Sequence, residues 1–288
     1  MKIRTTNWHK CMAIPAFLLF SLFFLFPFLQ GVTLSLTDWN GYSKSTFIGF
    51  SNFISFFSDE RAIRDVRNTV FFAIGSAPLL NIVGLSLALL LNRKFFGRNV
   101  ARGLLYLPSV ISPMIMGSIW YLLLQPKRGL FAIILSRLGL ELERNWMISG
   151  NTALFVIILV NVWQYAGMTM IIYLAGLQAI PSEHYEASSV EGANSFQIFT
   201  YIVLPQLIPS LKINTVTNII GSLSVFDVIL ALTDGGPGYD TESLSIYIMR
   251  MTYGNKTGYS TAVALILFLL ILVPVLLVLH GFRRVEEI

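Results

Sequence analysis

The sequence predicts an all-α polytopic membrane protein with six transmembrane helices, and two observations carry this prediction. The first is composition: 55% of the 288 residues are hydrophobic and 12% are charged, whereas a soluble domain carries about 25% charged residues. The second is pattern: the apolar residues fall into six segments close to the ~20 residues that a helix needs to cross the hydrocarbon core. The predicted spans are approximately 11–36, 68–92, 104–125, 152–175, 207–231 and 260–282.

Two of these spans need separate justification. The first follows a basic N-terminus, as a signal peptide would, but its apolar run is too long for a signal h-region and lacks an A-x-A site, so we expect a retained span. The fifth is the least apolar, because it contains Lys212 and Asp227. Prolines within the spans predict kinks, which membrane helices tolerate; they are Pro15, Pro27, Pro78, Pro113 and Pro274.

The charged residues predict how the chain is oriented. The net charge of +5 is compatible with nucleic-acid binding, but no basic cluster has interleaved aromatics, so we assign the charges to membrane edges and expect no nucleic-acid partner. Six spans put both termini on one side, and dense Lys/Arg clusters favour the cytoplasm for that side. The clusters are Lys2, Arg4 and Lys10, then Arg93, Lys94, Arg98 and Arg102.

Cys11 is the only cysteine, which excludes an intrachain disulfide.

A polar stretch, EASSVEGANSFQIFTYIVLP at 186–205, follows the fourth span and contains no lysine or arginine. Pro181 suits the first turn of a helix, and Glu183 lies favourably near its positive end. Gly192 follows the periodic stretch, where a helix is expected to stop. The loop 176–206 is therefore predicted to contain a first short helix lying along the membrane face.

A second short helix is predicted within the same loop. Asn194 is followed three residues later by Gln197, which is a capping-box pattern. Pro205 is expected to end this helix, and Pro209 is expected to open the fifth span.

The loop has two interpretations. It is either an amphipathic connector resting on the bilayer or a docking surface for a protein with a basic pocket. Interfacial helices favour Lys/Arg on their polar face, so the exposed charges of Glu186 and Glu191 favour the docking interpretation. The residues expected to offer apolar contacts are Tyr185, Ala187, Val190, Phe196 and Phe199.

The loop resembles the EAA loop of bacterial ABC importer permeases. The matching residues are Glu186, Ala187, Gly192, Ala193, Leu204 and Pro205. Ser188 replaces the second alanine of the family pattern, and Glu191 stands where aspartate is usual. Three further stretches resemble the carbohydrate-uptake (maltose/multiple-sugar) branch, so the resemblance covers nearly the whole chain. They are SLTDWNGYSKSTFIGFSNF, RGLLYLPSVISPMIMGSIWYLLLQPKRGL and FDVILALTDGGPGYDTESLSIYIMRMTYGN.

The resemblance implies a single ABC transporter permease domain over 1–288, in the bacterial cytoplasmic (inner) membrane, with both termini cytoplasmic. In that family the loop is the coupling helix, which sits in a cleft of the ATPase subunit. The implied ATPase-coupling residues are Glu186, Ala187, Ser188, Glu191, Gly192, Ala193 and Pro205. The implied partners are a second permease subunit in a heterodimer, an ABC ATPase dimer, an extracytoplasmic solute-binding protein, a sugar or oligosaccharide substrate and membrane lipid.

The sequence offers no catalytic machinery of its own. No G-x-x-x-x-G-K-[ST] phosphate loop is present, and the nearest lookalike, YGNKTGY at 253–259, has the wrong spacing. No Ser/His/Asp set, H-E-x-x-H motif or Cys/His metal cluster occurs either. We therefore expect no cofactor in this chain, and the resemblance implies that ATP and Mg are bound by the partner ATPase.

Polar side chains recur on one face of the fourth span and one face of the fifth. The candidate substrate-binding residues are Asn161, Gln164 and Tyr165 in the fourth span and Asn214, Asn218 and Ser222 in the fifth. Their i, i+3, i+4 and i, i+4, i+8 spacings place each set on one helical face, and the resemblance implies substrate contacts on these spans. The alternative is interhelical hydrogen bonding. Neutral amides and hydroxyls suit an uncharged sugar, and the lack of a basic residue argues against a phosphate ester.

Two further features leave alternatives open. Asp227 within a span suggests a self-contained ion-coupled secondary transporter, or else a residue that reaches water or caps a neighbour. An intramembrane enzyme is disfavoured because no nucleophile and base are paired.

The sequence DGGPG at 234–238 predicts a turn, and 241–253 predicts a helix. This region and the 37–67 loop are expected either to meet the solute-binding protein or to be solvent-exposed connectors.

Overall fold

The computed structural model describes residues 8–125, 128–138 and 149–286, and in these residues the regular structure is helical apart from an isolated antiparallel bridge between Thr37 and Phe47. The prediction of an all-α membrane protein is confirmed. Lys2 and Arg4, on which the predicted orientation partly depends, lie outside the described residues.

The helices follow one another with short connections. In chain order they are α1 (Trp8–Phe20), a π segment (Ser21–Leu25), α2 (Phe26–Ser35), α3 (Ser51–Ser58), α4 (Glu60–Asn92), α5 (Arg98–Val110), α6 (Pro113–Leu123), α7 (Leu130–Arg137), α8 (Gly150–Ala179), α9 (Ser182–Val190), α10 (Ser195–Ile198), a second π segment (Phe199–Val203), α11 (Leu204–Gln206), α12 (Ile208–Leu223), α13 (Asp227–Thr233), α14 (Leu244–Tyr253) and α15 (Thr257–Glu286).

Four continuous helical segments are long and apolar enough to cross a membrane: Ala13–Ser35, Glu60–Asn92, Gly150–Ala179 and Thr257–Arg283. They overlap the first, second, fourth and sixth predicted spans. Two further helix pairs meet the same criterion but are sharply bent, and counting each pair as one span gives up to six.

The third predicted span, 104–125, differs from a single helix. The chain bends by 98° between α5 and α6. Ser112, which precedes Pro113, has φ −50° and ψ 130°, because a residue before proline is pushed out of the α region. The kink expected at Pro113 is therefore a break between two helices.

The fifth predicted span, 207–231, is also interrupted. α12 ends at Leu223, and α13 starts at Asp227. Between them Phe226 leaves the helical region, with φ −143° and ψ −69°. A second bend, of 67°, separates Ser195–Gln206 from α12.

The chain divides into two compact units. The first comprises the chain before Arg61 together with Ile248–Ile266. In it, the amide of Gly258 donates to the carbonyl of Trp39 at 2.7 Å. A Cβ on Gly258 would lie 2.1 Å from the carbonyl oxygen of Thr37, so this close approach of two backbones requires glycine.

The second unit comprises Arg61–Tyr247 together with the chain from Leu267 onward. One hydrophobic cluster in it joins α4 and α8 to the segment before α12; its buried members are Ala88, Leu91, Met170, Tyr173, Leu174, Leu177, Ile180, Val203 and Leu207. Elsewhere α5 crosses α8 at Gly167, where an added Cβ would lie 2.0 Å from the carbonyl oxygen of Leu105. These contacts fix α8 at the centre of the second unit.

Candidate functional site

A cavity of about 440 Å³ lies in the second unit beside α8, α12 and the break between α12 and α13. Its lining combines amides, hydroxyls, one carboxylate and apolar side chains. The lining residues are Leu80, Pro113, Asn161, Tyr165, Met168, Thr169, Thr217, Asn218, Gly221, Ser222, Ser224, Val225, Phe226, Asp227 and Val228. Such a mixture suits a small polar solute that also presents apolar faces.

Four of the six sequence-predicted substrate residues meet at this cavity: Asn161, Tyr165, Asn218 and Ser222. The other two do not line it. Gln164 is fully buried, and its Nε2 donates to the carbonyl of Ile111 at 3.2 Å. The Nδ2 of Asn214 donates to the carbonyl of Thr169 at 3.2 Å. These two side chains join helices, which matches the alternative interpretation of interhelical hydrogen bonding.

The cavity wall keeps unused hydrogen-bonding capacity. Asn161 Nδ2 donates to Ser76 Oγ at 2.7 Å, so this amide is partly committed to α4. Within the described residues, the buried Nδ2 of Asn218 and Oγ of Ser222 have no hydrogen-bond partner. A buried polar group without a partner costs about 1–3 kcal/mol. A hydroxylated solute in the cavity would supply partners for both atoms.

Several lining residues were not assigned to a solute site by sequence reasoning. Asp227, Phe226 and Ser224 reach the wall because the helix breaks between Leu223 and Asp227. The sequence signal that could have identified them is the presence of two polar residues, Ser224 and Asp227, inside an apolar stretch. Asp227 is solvent-exposed at the start of α13, so its carboxylate can reach water in the cavity.

A second, larger cavity of about 690 Å³ lies among α4, α12 and α15. Its lining is mostly aliphatic, with Asn81 and Thr215 as its polar members. The hydroxyl of Tyr173 donates to Asn81 Oδ1 at 2.7 Å, which occupies part of that polar surface. This cavity therefore suits a polar solute less well than the smaller one.

The first helix of the 176–206 loop is α9, with Pro181 at its N-cap position and Glu183 in its first turn. It ends in a Schellman motif: the amide of Ala193 donates to the carbonyl of Ser188 at 3.0 Å, and the amide of Gly192 donates to that of Ser189 at 3.2 Å. Gly192 has φ +81°. The predicted helix end at Gly192 is confirmed.

The second helix begins at the predicted capping box. Asn194 Oδ1 accepts from the amide of Gln197 at 3.0 Å, and Gln197 Oε1 accepts from the amide of Asn194 at 2.9 Å. The expected helix end at Pro205 is wrong by one residue, since helical backbone continues to Gln206. A π segment, Phe199–Val203, directly precedes this turn. Pro205 has no N–H to donate to the preceding helical turn, which is a common cause of such an irregularity.

The coupling residues predicted from the resemblance lie mostly on the surface of the loop. Glu186, Ala187, Glu191, Gly192 and Pro205 are exposed, Ala193 is half-buried and Ser188 is buried. Val190 and Phe196 are 89% and 75% exposed. Tyr185 and Phe199 are partly buried and pack against the hydrophobic cluster of the second unit, so they present less apolar surface than Val190 and Phe196.

The long apolar helices indicate a multi-pass membrane protein, and comparison with known proteins gives its family and its role. The family model described as "Binding-protein-dependent transport system inner membrane component" matches residues 81–287. The probable starch degradation products transport system permease protein AmyD of Thermoanaerobacterium thermosulfurigenes is 33% identical over 92% of this chain and 90% of its own. The trehalose/maltose transport system permease protein MalF of Thermococcus litoralis is 33% identical over 94% and 92%.

A solved structure agrees with these relatives. The crystal structure of a bacterial alginate ABC transporter in complex with an alginate pentasaccharide-bound periplasmic protein contains a chain that is 28% identical to this one. The match has a TM-score of 0.84 and covers 97% of this chain and 95% of that chain. The present chain therefore belongs to the family of binding-protein-dependent transport system inner membrane components, and it is an ABC importer permease rather than an enzyme.

Proposed function

We propose that this permease carries an uncharged sugar or oligosaccharide through the 440 Å³ cavity by alternating access. The observation that carries the proposal is the pair of buried polar atoms without partners, Asn218 Nδ2 and Ser222 Oγ, in a wall that also offers the Tyr165 ring. Sugars present many hydroxyls and an apolar ring face, and both complement such a wall.

The charge of the cavity supports an uncharged substrate. Among the described residues, its lining contains the carboxylate of Asp227 and no lysine or arginine. A phosphate ester or a uronic acid would bring a negative charge close to that carboxylate without a compensating cation. The similar proteins do not decide the charge of the substrate: two are named for starch products and for trehalose and maltose, whereas UgpA of Brucella abortus is named for sn-glycerol 3-phosphate and the structural match for alginate, which are both anionic. The proposal therefore depends on the lining of the cavity.

The energy for transport is proposed to come from a separate ABC ATPase dimer, which binds ATP and Mg. We place the ATPase contact at the coupling loop, on the exposed side chains of Glu186, Glu191, Val190 and Phe196. Two carboxylates beside two apolar side chains suit a cleft with basic and apolar walls. This assignment puts the loop and both termini in the cytoplasm.

The remaining partners follow from the family and from the resemblance. The family works with a binding protein, and we propose that it contacts 37–67 and 234–253 on the opposite side of the membrane. A second permease subunit is proposed to complete the path as a heterodimer. The ion-coupled alternative that uses Asp227 finds no support in the relatives, which are named as components of transport systems.

The experiment is ATP-dependent uptake by proteoliposomes that contain the permease pair, the ATPase and the binding protein. We expect uptake of a labelled neutral maltodextrin, and little uptake of glycerol 3-phosphate or an oligoalginate. Preferential uptake of either anion would overturn the uncharged-substrate assignment. Uptake driven by a proton gradient without ATP would overturn the ATP coupling.

Coupling is tested separately with Glu186→Ala. We expect this variant to lower sugar-stimulated ATP hydrolysis and co-purification of the ATPase while leaving the thermal stability of the permease unchanged. Glu183→Ala is the matched control, because Glu183 is also exposed on α9 but does not belong to the EAA pattern. Equal ATPase stimulation in the wild type and Glu186→Ala would exclude this residue from coupling.

A further inference from the structure

The short helix α3 (Ser51–Ser58) in the first unit has an unusual distribution of side chains. One face carries a polar residue inward: Asn52 is 7% exposed, beside the buried Phe56. A second face carries large apolar residues outward, with Phe50, Ile54 and Phe57 exposed by 70%, 67% and 69%. Soluble proteins place such residues the other way round.

The polar residue on the inner face ties α3 to the end of the first membrane span. Asn52 Nδ2 donates at 2.8 Å to the carbonyl of Ser35 and at 2.8 Å to that of Thr37. Ser35 is the last residue of α2 and of the span Ala13–Ser35. Helix α3 is therefore held at the C-terminal end of this candidate span.

The span itself carries an exposed apolar surface. The most apolar window of Ala13–Ser35 has no buried residue. In its second half, Leu29 is 53% exposed, and Phe24 at its middle is 68% exposed. The outward apolar face of α3 extends an exposed hydrophobic surface that already belongs to a membrane span.

The third face of α3 is small and hydroxylated. Ser51, Ser55 and Ser58 recur at i, i+4 and i+7 and are all exposed. At about 100° per residue this serine face borders Ile54 and lies roughly a third of a turn from Phe57. One face therefore packs on protein, one suits hydrocarbon and one suits water, which is the arrangement of a helix lying in a membrane–water interface.

We propose that α3 is an interfacial anchor, whose Phe50–Ile54–Phe57 face inserts into the leaflet in which the span Ala13–Ser35 ends. The helix carries no charge between Ser51 and Ser58, so burial of this face among lipid desolvates no ionised group. Aromatic residues are favoured in this zone of the bilayer. The anchor fixes the depth of the 36–50 loop, because Asn52 of α3 donates to the carbonyl of Thr37 and the Thr37–Phe47 bridge joins the two arms of the loop.

The test is site-directed spin labelling of the assembled importer in lipid nanodiscs. Cys11 is the only cysteine of this chain, so Cys11→Ser with cysteine-free partner subunits gives a clean background. Labels are introduced as Ile54→Cys and Phe57→Cys on the apolar face, with Ser55→Cys as the control on the serine face. Collision rates are measured with oxygen, which partitions into lipid, and with a water-soluble nickel chelate.

We expect the ratio of oxygen to nickel collisions to exceed one at positions 54 and 57 and to fall below one at position 55. Nickel access at 54 and 57 equal to that at 55 would place the face in water and overturn the anchor. Shielding of positions 54 and 57 from both probes would indicate that a permanent subunit covers the face, and it would overturn the anchor. Shielding that appears when the binding protein is added would make the face a protein-docking surface, which also overturns the proposal.

Discussion

Arg61 and Glu242 form a two-point ion pair between the first turn of α4 and the segment before α14. Arg61 Nε lies 2.8 Å from Glu242 Oε2, and Arg61 Nη2 lies 2.9 Å from Oε1. The Glu242 side chain is fully buried, while that of Arg61 is 26% exposed. The guanidinium carbon also lies 3.6 Å from the ring centroid of Tyr239, so an aromatic face covers the cation.

Removing the charge of Glu242 is expected to destabilise the permease. Breaking a buried ion pair by loss of one partner costs about 3–5 kcal/mol, and the partial exposure of Arg61 lowers this expectation to about 2–3 kcal/mol for Glu242→Gln. Thermal or denaturant unfolding in detergent measures the change. Asp240→Asn is the control: Asp240 pairs with Arg64 at 3.5 Å, with both side chains about half exposed, and its loss is expected to cost under about 1 kcal/mol.

Asn218→Ala is expected to weaken sugar transport with at most a small loss of stability, because its Oδ1 accepts a long hydrogen bond, 3.4 Å, from the hydroxyl of Thr169. In the structure Asn218 Nδ2 has no partner among the described residues, so truncation removes an unsatisfied buried donor. The loss of one neutral hydrogen bond to substrate, about 0.5–1.5 kcal/mol, corresponds to an increase of roughly 2- to 13-fold in the half-saturating sugar concentration.

Asn214→Ala provides the contrast one helical turn away. Its Nδ2 donates to the carbonyl of Thr169, and it does not line the cavity. We expect a loss of about 1 kcal/mol in stability with a near-normal half-saturating sugar concentration. Uptake titrations together with melting curves separate the two roles, and the reverse pattern would contradict the assignment of the cavity.

Gly167→Ala is expected to force α5 and α8 apart. The added Cβ would lie 2.0 Å from the carbonyl oxygen of Leu105 and 2.8 Å from the Cα of Tyr106. Both contacts are backbone, so no side chain can rotate away, and overpacking costs about 1–3 kcal/mol. Gly103→Ala, where no atom of the described residues lies within 4 Å of an added Cβ, is expected to be neutral or stabilising because alanine favours helix.

The loop after the first span is expected to loosen in acid. The pKa of Asp38 is lowered below its ordinary value of 3.8 by hydrogen bonds from the hydroxyl and the amide of Thr46. A lowered folded-state pKa means that the stabilisation is fully present above about pH 3.8 and is lost as the pH falls through the lower, folded-state value. The loop 38–46 should therefore gain mobility below pH 3.8.

A spin label introduced as Tyr42→Cys, at the exposed tip of this loop, measures the mobility between pH 6 and pH 2.5. Thr46→Val removes the hydroxyl donor, so its mobility transition is expected at a higher pH than that of the wild type. Asp38→Asn should be mobile at every pH. A transition at the same pH in the wild type and in Asp38→Asn would assign it to another group.

The amino-acid sequence by itself determined the membrane class, the approximate spans and the local signals in the coupling loop. Hydrophobicity is summed over ~20 neighbouring residues, and the Asn194–Gln197 capping box and the stop at Gly192 each depend on a few consecutive residues. These features are encoded locally, so they could be predicted from the sequence.

The tertiary structure decided which polar side chains face the cavity. Asn214 and Asn218 lie on the same face of α12, yet Asn214 is committed to the carbonyl of Thr169, while Asn218 lines the cavity. The residue spacing in the sequence likewise did not predict the helix break before Asp227 or the packing of Tyr185 against the hydrophobic cluster. Helical periodicity gives the face of a residue, but the partner that it meets depends on neighbouring helices brought together from distant parts of the chain.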